Sequence, residues 1–249
     1  MVVFETVCVA FAMFSAFPMP RVEWNGQNMR YAMAAFPLIG AVIGALWCVC
    51  GMLPLPEMLQ AAGFCLIPVA VTGGIHLDGF ADTADALASY GDREKKLAIL
   101  KDPHCGAFAV IRLCSYFALY FSLCACLRFT PRVGGVWTLA LVLERALSGY
   151  VVASFPMAKN TGLAHTFATA ADKRRVKIIL LGMSVCVGAG MALLGGGLLV
   201  LAALLMLWRY HAVAVKQFGG ITGDLAGWFL QRAELLMLAA LLLSGRWIG

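Results

Sequence analysis

Asp78, Asp82 and Asp85 place three carboxylates at i, i+4 and i+7 within Gly73-Gly74-Ile75-His76-Leu77-Asp78-Gly79-Phe80-Ala81-Asp82-Thr83-Ala84-Asp85. At about 100° per residue, Asp82 lies about 40° and Asp85 about 20° from Asp78 around a helix axis, so the three share one stripe. Leu77, Phe80, Ala81, Ala84, Leu87 and Ala88 fall on the opposite stripe, which predicts an amphipathic helix with one buried and one acidic face. No basic residue interrupts the acidic face, and anions this close repel unless a cation lies between them. Carboxylates clustered without a cysteine or histidine set are hard oxygen donors, suited to Mg²⁺ or Mn²⁺ rather than Zn²⁺. The usual customer of such a metal is a diphosphate, whose phosphoryl oxygens it bridges while an attacking hydroxyl is aligned. Gly79 weakens the predicted helix by about 1 kcal/mol relative to alanine. Its place there is explained if a phosphate or metal must approach the backbone closely.

The elements that must position this segment are written for lipid. Hydrophobic residues make up 62% of the 249 and charged residues 13%, against about 25% charged in soluble domains. Runs long enough to cross about 30 Å of hydrocarbon extend from about Ala34 to Leu53, Met58 to Thr72, Ala107 to Leu127, Gly135 to Phe155, Val176 to Leu194, Leu198 to Val215 and Ala233 to Trp247. The run from Val2 to Phe17 is short and carries Glu5, so it either spans or lies in the interface. The prediction is an all-α, polytopic integral membrane bundle of seven or eight segments, forming one domain over residues 1–249. The N-terminus has neither the basic region nor the small-residue cleavage site of a signal peptide, so the first segment is expected to be kept.

Basic residues orient the bundle. Of the 19 lysines and arginines, 14 fall in the four loops 18–33, 75–105, 156–177 and 208–232, and 3 (Arg128, Arg132, Arg246) fall on the other side. This bias assigns the four loops, and the acidic helix with them, to the cytoplasm. The chain is expected in the cell (inner) membrane with a cytoplasm-facing site. The net charge of +6 then reflects topology and contact with anionic lipid, and no patch of basic and aromatic residues suggests nucleic acid. The nine cysteines lie mostly inside apolar runs with no C-x-x-C pair, so neither disulfides nor cysteine-bound metal is expected. Gly40 and Gly44 match a small-residue helix-packing pattern.

Other polar groups share the predicted cytoplasmic side. Asp92 to Pro103 reads as a short charged helix ended by Pro103, and it delivers Lys101 and Asp102 to the membrane surface. There the cation could hold a phosphate and the carboxylate could join a metal site, or the two could form a snorkelling pair. The run Phe218-Gly219-Gly220-Ile221-Thr222-Gly223-Asp224-Leu225-Ala226-Gly227 reads as a glycine-rich turn between the last two spans, able to cradle phosphate through backbone N–H groups. Arg145 lies mid-span beside Glu144. Neighbouring side chains diverge on a helix, so Arg145 is expected to reach an anionic ligand. Lys159 opens the largest basic loop, and His76 and His104 flank the acidic region.

These residues resemble the cobalamin synthase family (CobS), the adenosylcobinamide-GDP ribazoletransferases. Nearly the whole chain takes part, through Phe17-Pro18-Met19-Pro20, Phe36-Pro37-Leu38-Ile39-Gly40, Gly74-Ile75-His76-Leu77-Asp78-Gly79 with Ala81-Asp82-Thr83-Ala84-Asp85, Lys101-Asp102 with Gly106-Ala107-Phe108, and Gly220-Ile221-Thr222-Gly223-Asp224. The resemblance implies a Mg²⁺-dependent phosphotransferase in cobalamin biosynthesis. Adenosylcobinamide-GDP would be joined to α-ribazole or its 5′-phosphate, giving adenosylcobalamin or its 5′-phosphate and GMP. It implies Asp78, Asp82 and Asp85 as Mg²⁺ ligands with Asp102 and Asp224 contributing, and Lys101, Arg145 and Lys159 as phosphate-charge partners. Gly79, Thr222 and Gly223 would contact substrate, and His76 would accept or orient the hydroxyl proton. Besides its two substrates and the bilayer, other nucleotide-loop assembly enzymes and a second copy of the chain are the partners left open; nucleic acid is not expected. Ala86 stands where the family usually has glycine, Pro103-His104-Cys105 departs from its commoner polar version, and Lys159 takes a position often held by arginine. Two other transferase classes fit less well. A CDP-alcohol phosphotransferase would carry an arginine after Ala81, and an aromatic prenyltransferase would carry a second aspartate-rich motif where only Asp224 stands. A transporter would hold its acids at the bilayer midplane on broken helices.

Overall fold

The computed structural model describes residues 2–158 and 163–248, apart from the side chains of 163–165, 168, 246 and 247. Its named elements are α1 (Val2–Phe14), α2 (Ala32–Ala35), α3 (Pro37–Met52), α4 (Glu57–Thr72), α5 (Ile75–Ala88), α6 (Arg93–Ile99), α7 (Ala107–Ala125), α8 (Pro131–Ser154), α9 (Leu163–Ala170), α10 (Lys173–Leu193), α11 (Gly197–Val213), α12 (Gly223–Leu243) and α13 (Gly245–Ile248). A π-helical turn, Ala214–Phe218, extends α11. Among the described residues the only β-type pairing is a single parallel bridge between Met157 and Ile221.

Among the described residues, six helices are long and apolar enough to cross a membrane: Ala32–Met52, α7, α8, α10, Gly197–Phe218 and α12. A seventh span results if α4 and α5 count as one element broken by a 93° bend. The expectation of seven or eight is therefore met at its lower edge. The reason lies in α4, whose 16 residues extend only about 24 Å at 1.5 Å per residue. The first run forms a helix of 13 residues, shorter still. The last span starts at Gly223 rather than near Ala233. What read as a glycine turn is largely the first turns of a helix, capped by Thr222, whose hydroxyl accepts the Leu225 N–H at 3.2 Å.

The bundle is centred on α8, most of whose side chains are buried. Gly40 and Gly44 form the seam between α3 and α8. A methyl group on Gly40 would lie 2.3 Å from the Leu141 carbonyl oxygen, and one on Gly44 would lie 2.5 Å from the Thr138 hydroxyl. The small-residue pattern thus serves close helix packing. Trp47, Phe64 and Trp137 fill one end of the core, with Trp47 stacked on Phe64 at 3.8 Å. All nine cysteines are free. At the predicted cytoplasmic rim, Asp172 accepts the Arg175 N–H to cap α10 and pairs with Arg30 at 2.8 Å.

Two breaks of the same kind position the polar residues. α4 ends at Gly73 and the π-helical turn ends at Gly219, both in the left-handed region with φ of 64° and 72°, a conformation glycine adopts without steric cost. Each break releases a new helix, α5 or α12, and these two helices pack against each other. Lys96 of α6 bonds the Gln217 side chain at 2.5 Å, and the Arg93 guanidinium occupies the space a side chain on Gly219 would take. Thus α6 braces the second break.

Candidate active site

The acidic segment forms the predicted helix, and its apolar stripe packs inward through Leu77, Phe80 and Ala81. Its acidic stripe does not act as one unit. Asp85 accepts the N–H groups of Gly106 at 2.6 Å and Ala109 at 2.8 Å, so its carboxylate caps α7 from a neighbouring helix. Gly106 has no side chain to cap α7 itself, and a methyl group there would lie 2.6 Å from the Asp85 carboxylate. Among the described residues, no group of three or more histidine, cysteine, aspartate or glutamate side chains is placed to share a metal ion. Replacing Asp85 by alanine is expected to lower stability by about 1–2 kcal/mol, the scale of a lost N-terminal cap. Thermal unfolding in detergent measures that shift.

Gly79 also has a different neighbour from the one its chemistry suggested. A methyl group on Gly79 would lie 2.8 Å from both the Cα and the carbonyl oxygen of Asp224, and one on Gly227 would lie 2.7 Å from the His76 carbonyl oxygen. The two glycines let α5 and α12 cross backbone to backbone with opposite chain directions. What comes close to Gly79 is therefore the protein's own second acidic segment. Because backbone cannot swing aside, Gly79→Ala is expected to cost about 1–3 kcal/mol of stability through overpacking, seen as a lowered unfolding midpoint.

That crossing brings together residues far apart in the sequence. A cavity of about 490 Å³ is lined at its polar end by His76, Asp78, Gly79, Lys101, Thr222, Gly223 and Asp224. Its remaining wall is largely apolar, with Met13, Phe14, Met33, Phe36, Val152, Phe167 and Leu230, and also carries Ser148. A second, more open cavity of about 710 Å³ is lined by Asp78, Asp82, Asp102, His104 and Cys105 with Ile75, Leu77, Leu113 and Phe117. Asp78 belongs to both cavities. Asp102 is fixed at the rim of the second, accepting the His104 N–H at 3.0 Å and meeting its ring nitrogen at 2.6 Å. These bonds hold the Asp102 carboxyl below the usual carboxylate range. The α6 helix ends at Ile99, four residues before Pro103, leaving Lys101 and Asp102 on the turn that faces the two cavities.

His76 is 6% exposed, and neither ring nitrogen has a hydrogen-bond partner among the described residues. A buried imidazole without partners is costly, and this one lines the first cavity with the edge of its ring 5.7 Å from Phe36, centroid to centroid.

Arg145 departs from expectation. Its side chain is fully buried and lines neither cavity. It pairs with Glu144 and, at 3.2 Å, with Glu234 of α12, and also donates to the Leu141 carbonyl at 3.1 Å. Burial of an arginine in lipid demands compensating anions, and the chain supplies them itself. Glu234 is the partner that sequence reasoning missed. Lys159 lies outside the described residues.

A further signal was present in the sequence. Gly73-Gly74-Ile75-His76-Leu77-Asp78 and Gly219-Gly220-Ile221-Thr222-Gly223-Asp224 share the pattern Gly-Gly-Ile-x-x-Asp. Each copy follows a helix broken by a left-handed glycine, and their aspartates line the same cavity. The bridge between Met157 and Ile221 and the bond from Ala158 N–H to the Ile221 carbonyl at 2.8 Å tie the second copy to the basic loop.

Chemically, the side chains facing the cavities include four carboxylates, a lysine, two histidines, two hydroxyls and a thiol. A Mg²⁺ ion typically takes one or two protein carboxylates and completes its shell with water and substrate phosphate. Asp78, shared between the cavities, with Asp224 on one side and Asp82 and Asp102 on the other, suits that mode of binding. No cage of three protein ligands is required.

The family described as cobalamin-5-phosphate synthase matches residues 6–242. Adenosylcobinamide-GDP ribazoletransferase of Lachnoclostridium phytofermentans is 44% identical over 93% of this chain and 91% of its own length. The Clostridium perfringens protein of that name is 34% identical over 93% and 94%, and that of Ectopseudomonas mendocina 35% over 91% of each. No solved structure matches. With the match running through both Gly-Gly-Ile-x-x-Asp segments and every membrane helix, the chain belongs to the cobalamin-5-phosphate synthase family.

Proposed function

We propose that this chain is an adenosylcobinamide-GDP ribazoletransferase, joining adenosylcobinamide-GDP to α-ribazole or its 5′-phosphate in the nucleotide-loop assembly of cobalamin. The observation that carries the mechanism is Asp78, the carboxylate common to a cavity with an aromatic wall and a more open one. A ribose hydroxyl oxygen forms a new bond to the cobinamide-side phosphorus. The bond from that phosphorus to the bridging oxygen breaks, and GMP departs with the electron pair. The hydroxyl proton passes to His76, whose ring nitrogens are available for it.

Asp78 and Asp224, with Asp82 and Asp102 toward the more open side, would hold a Mg²⁺ ion, which when bound would supply charge neutralisation on the diphosphate. Lys101, in the lining of the first cavity, adds a positive charge there. The first turn of α12 points N–H groups that lack intrahelical acceptors toward the cavity at Gly223, the arrangement by which helix N-termini bind phosphate. Asp85 supports the site from outside it by anchoring α7. The bias of basic residues toward four loops supports a site that faces the cytoplasm from the cell membrane. Chelation tests the metal assignment. EDTA treatment of protein in lipid is expected to abolish GMP release and added Mg²⁺ to restore it, whereas full activity in EDTA contradicts the assignment.

A further inference from the structure

The two cavities differ in chemistry, and the difference sorts the substrates. The first cavity carries an aromatic wall in which Phe14 lies 4.5 Å from Phe36 and 5.7 Å from Phe167, ring centroid to ring centroid. Met13, Met33, Val152 and Leu230 add to the apolar lining. His76 also lines it, buried and without a hydrogen-bond partner among the described residues. Such a space suits a flat apolar base joined to a hydroxyl-bearing sugar. Guanine would bring several donors and acceptors against that wall and leave them unpaired, at substantial cost. A corrin ring with its axial nucleoside is too large for about 490 Å³.

We infer that the aromatic-walled cavity is the subsite for the α-ribazole acceptor, and that the diphosphate arm of the corrinoid nucleotide enters through the more open cavity on the other side of Asp78 and meets Lys101 and the first turn of α12 at that boundary. The inference rests on the ribazoletransferase reading above and adds the placement of each substrate. The benzimidazole base lies among Phe14, Phe36 and Phe167. The ribose points toward His76 and Asp78, and attack takes place across the Asp78 wall. The more open cavity, with Asp82, Asp102 and the exposed Cys105 on its rim, leaves the corrin ring outside and gives GMP a way out.

Three readouts on the full chain in lipid nanodiscs test this. First, Ala226, which lines only the aromatic-walled cavity, is replaced by leucine. The KM for α-ribazole is expected to rise at least about tenfold, with the KM for adenosylcobinamide-GDP unchanged. Second, Cys105→Trp, in an exposed turn where folding is not at stake, is expected to show the reverse pattern. Third, the wild type is labelled with a maleimide and Cys105 is read by mass spectrometry. Adenosylcobinamide-GDP is expected to slow labelling at least fivefold, and α-ribazole alone to leave it unchanged. Opposite KM effects, protection of Cys105 by α-ribazole alone, or protection by neither substrate would overturn the placement. Loss of the function reading looks different, because the wild type then releases no GMP with both substrates present.

Discussion

Asp78→Asn is expected to reduce GMP release by on the order of 10³-fold, the scale of losing one preorganised charge contact to a transition state. The substitution preserves size and hydrogen-bonding shape but removes the negative charge from the one carboxylate that faces both cavities. Stability should change little, because an exposed acid such as Asp78 in the first turn of a helix contributes only about 0.3–1 kcal/mol through the helix dipole. The signature is therefore a folded, inactive protein, in contrast to Asp85→Ala, which loses stability first. Steady-state GMP release and an unfolding curve on the same preparation separate the two. Activity within tenfold of the wild type would remove Asp78 from the metal site.

Arg145→Met is expected to lower stability by about 3–5 kcal/mol, the usual penalty when one member of a buried ion network is removed. Arg145 supplies the cation for both Glu144 and Glu234, all three fully buried, and the remaining carboxylate oxygens have no partner among the described residues. Without the guanidinium, two acids remain in the bundle core with nothing to offset them. The triple change Glu144→Leu, Arg145→Met and Glu234→Leu should recover most of the loss, since apolar replacement of a complete buried network is often neutral. Unfolding in detergent, followed by circular dichroism, reads both variants. A stable Arg145→Met protein with a raised KM for a phosphorylated substrate would return Arg145 to the role its mid-span position first suggested.

What was legible in the sequence followed from local periodicity. The acidic helix could be read because the eight residues from Asp78 to Asp85 suffice to set Asp78, Asp82 and Asp85 on one stripe, and the spans because lipid demands continuous apolar runs. Gly40 and Gly44 read correctly because four-residue spacing makes a smooth helix face. Three readings missed a partner distant in the chain. Asp85 meets the start of α7, 21 and 24 residues onward. Arg145 meets Glu234, 89 residues away. Gly79, besides lining the cavity, is crossed by the Asp224 backbone. Asp224 was assigned to a turn because glycine density outweighed the Thr222 cap, although Thr222 followed by an apolar run is itself a helix-start signal. The paired Gly-Gly-Ile-x-x-Asp segments were visible in principle, but the pattern is short and acquires meaning only once the fold brings both aspartates to one cavity. The first cavity could not be read at all, since its wall is assembled from scattered residues of α1, α2, α5, α8, α9 and α12.

The most direct test of the account is GMP release by the purified wild-type protein in lipid with Mg²⁺. Adenosylcobinamide-GDP and α-ribazole 5′-phosphate are supplied together and then singly. The account predicts GMP in equal amount to the joined corrinoid product when both are present, and none with either alone. GMP released from adenosylcobinamide-GDP without the acceptor, or no GMP from folded protein given both, would contradict it.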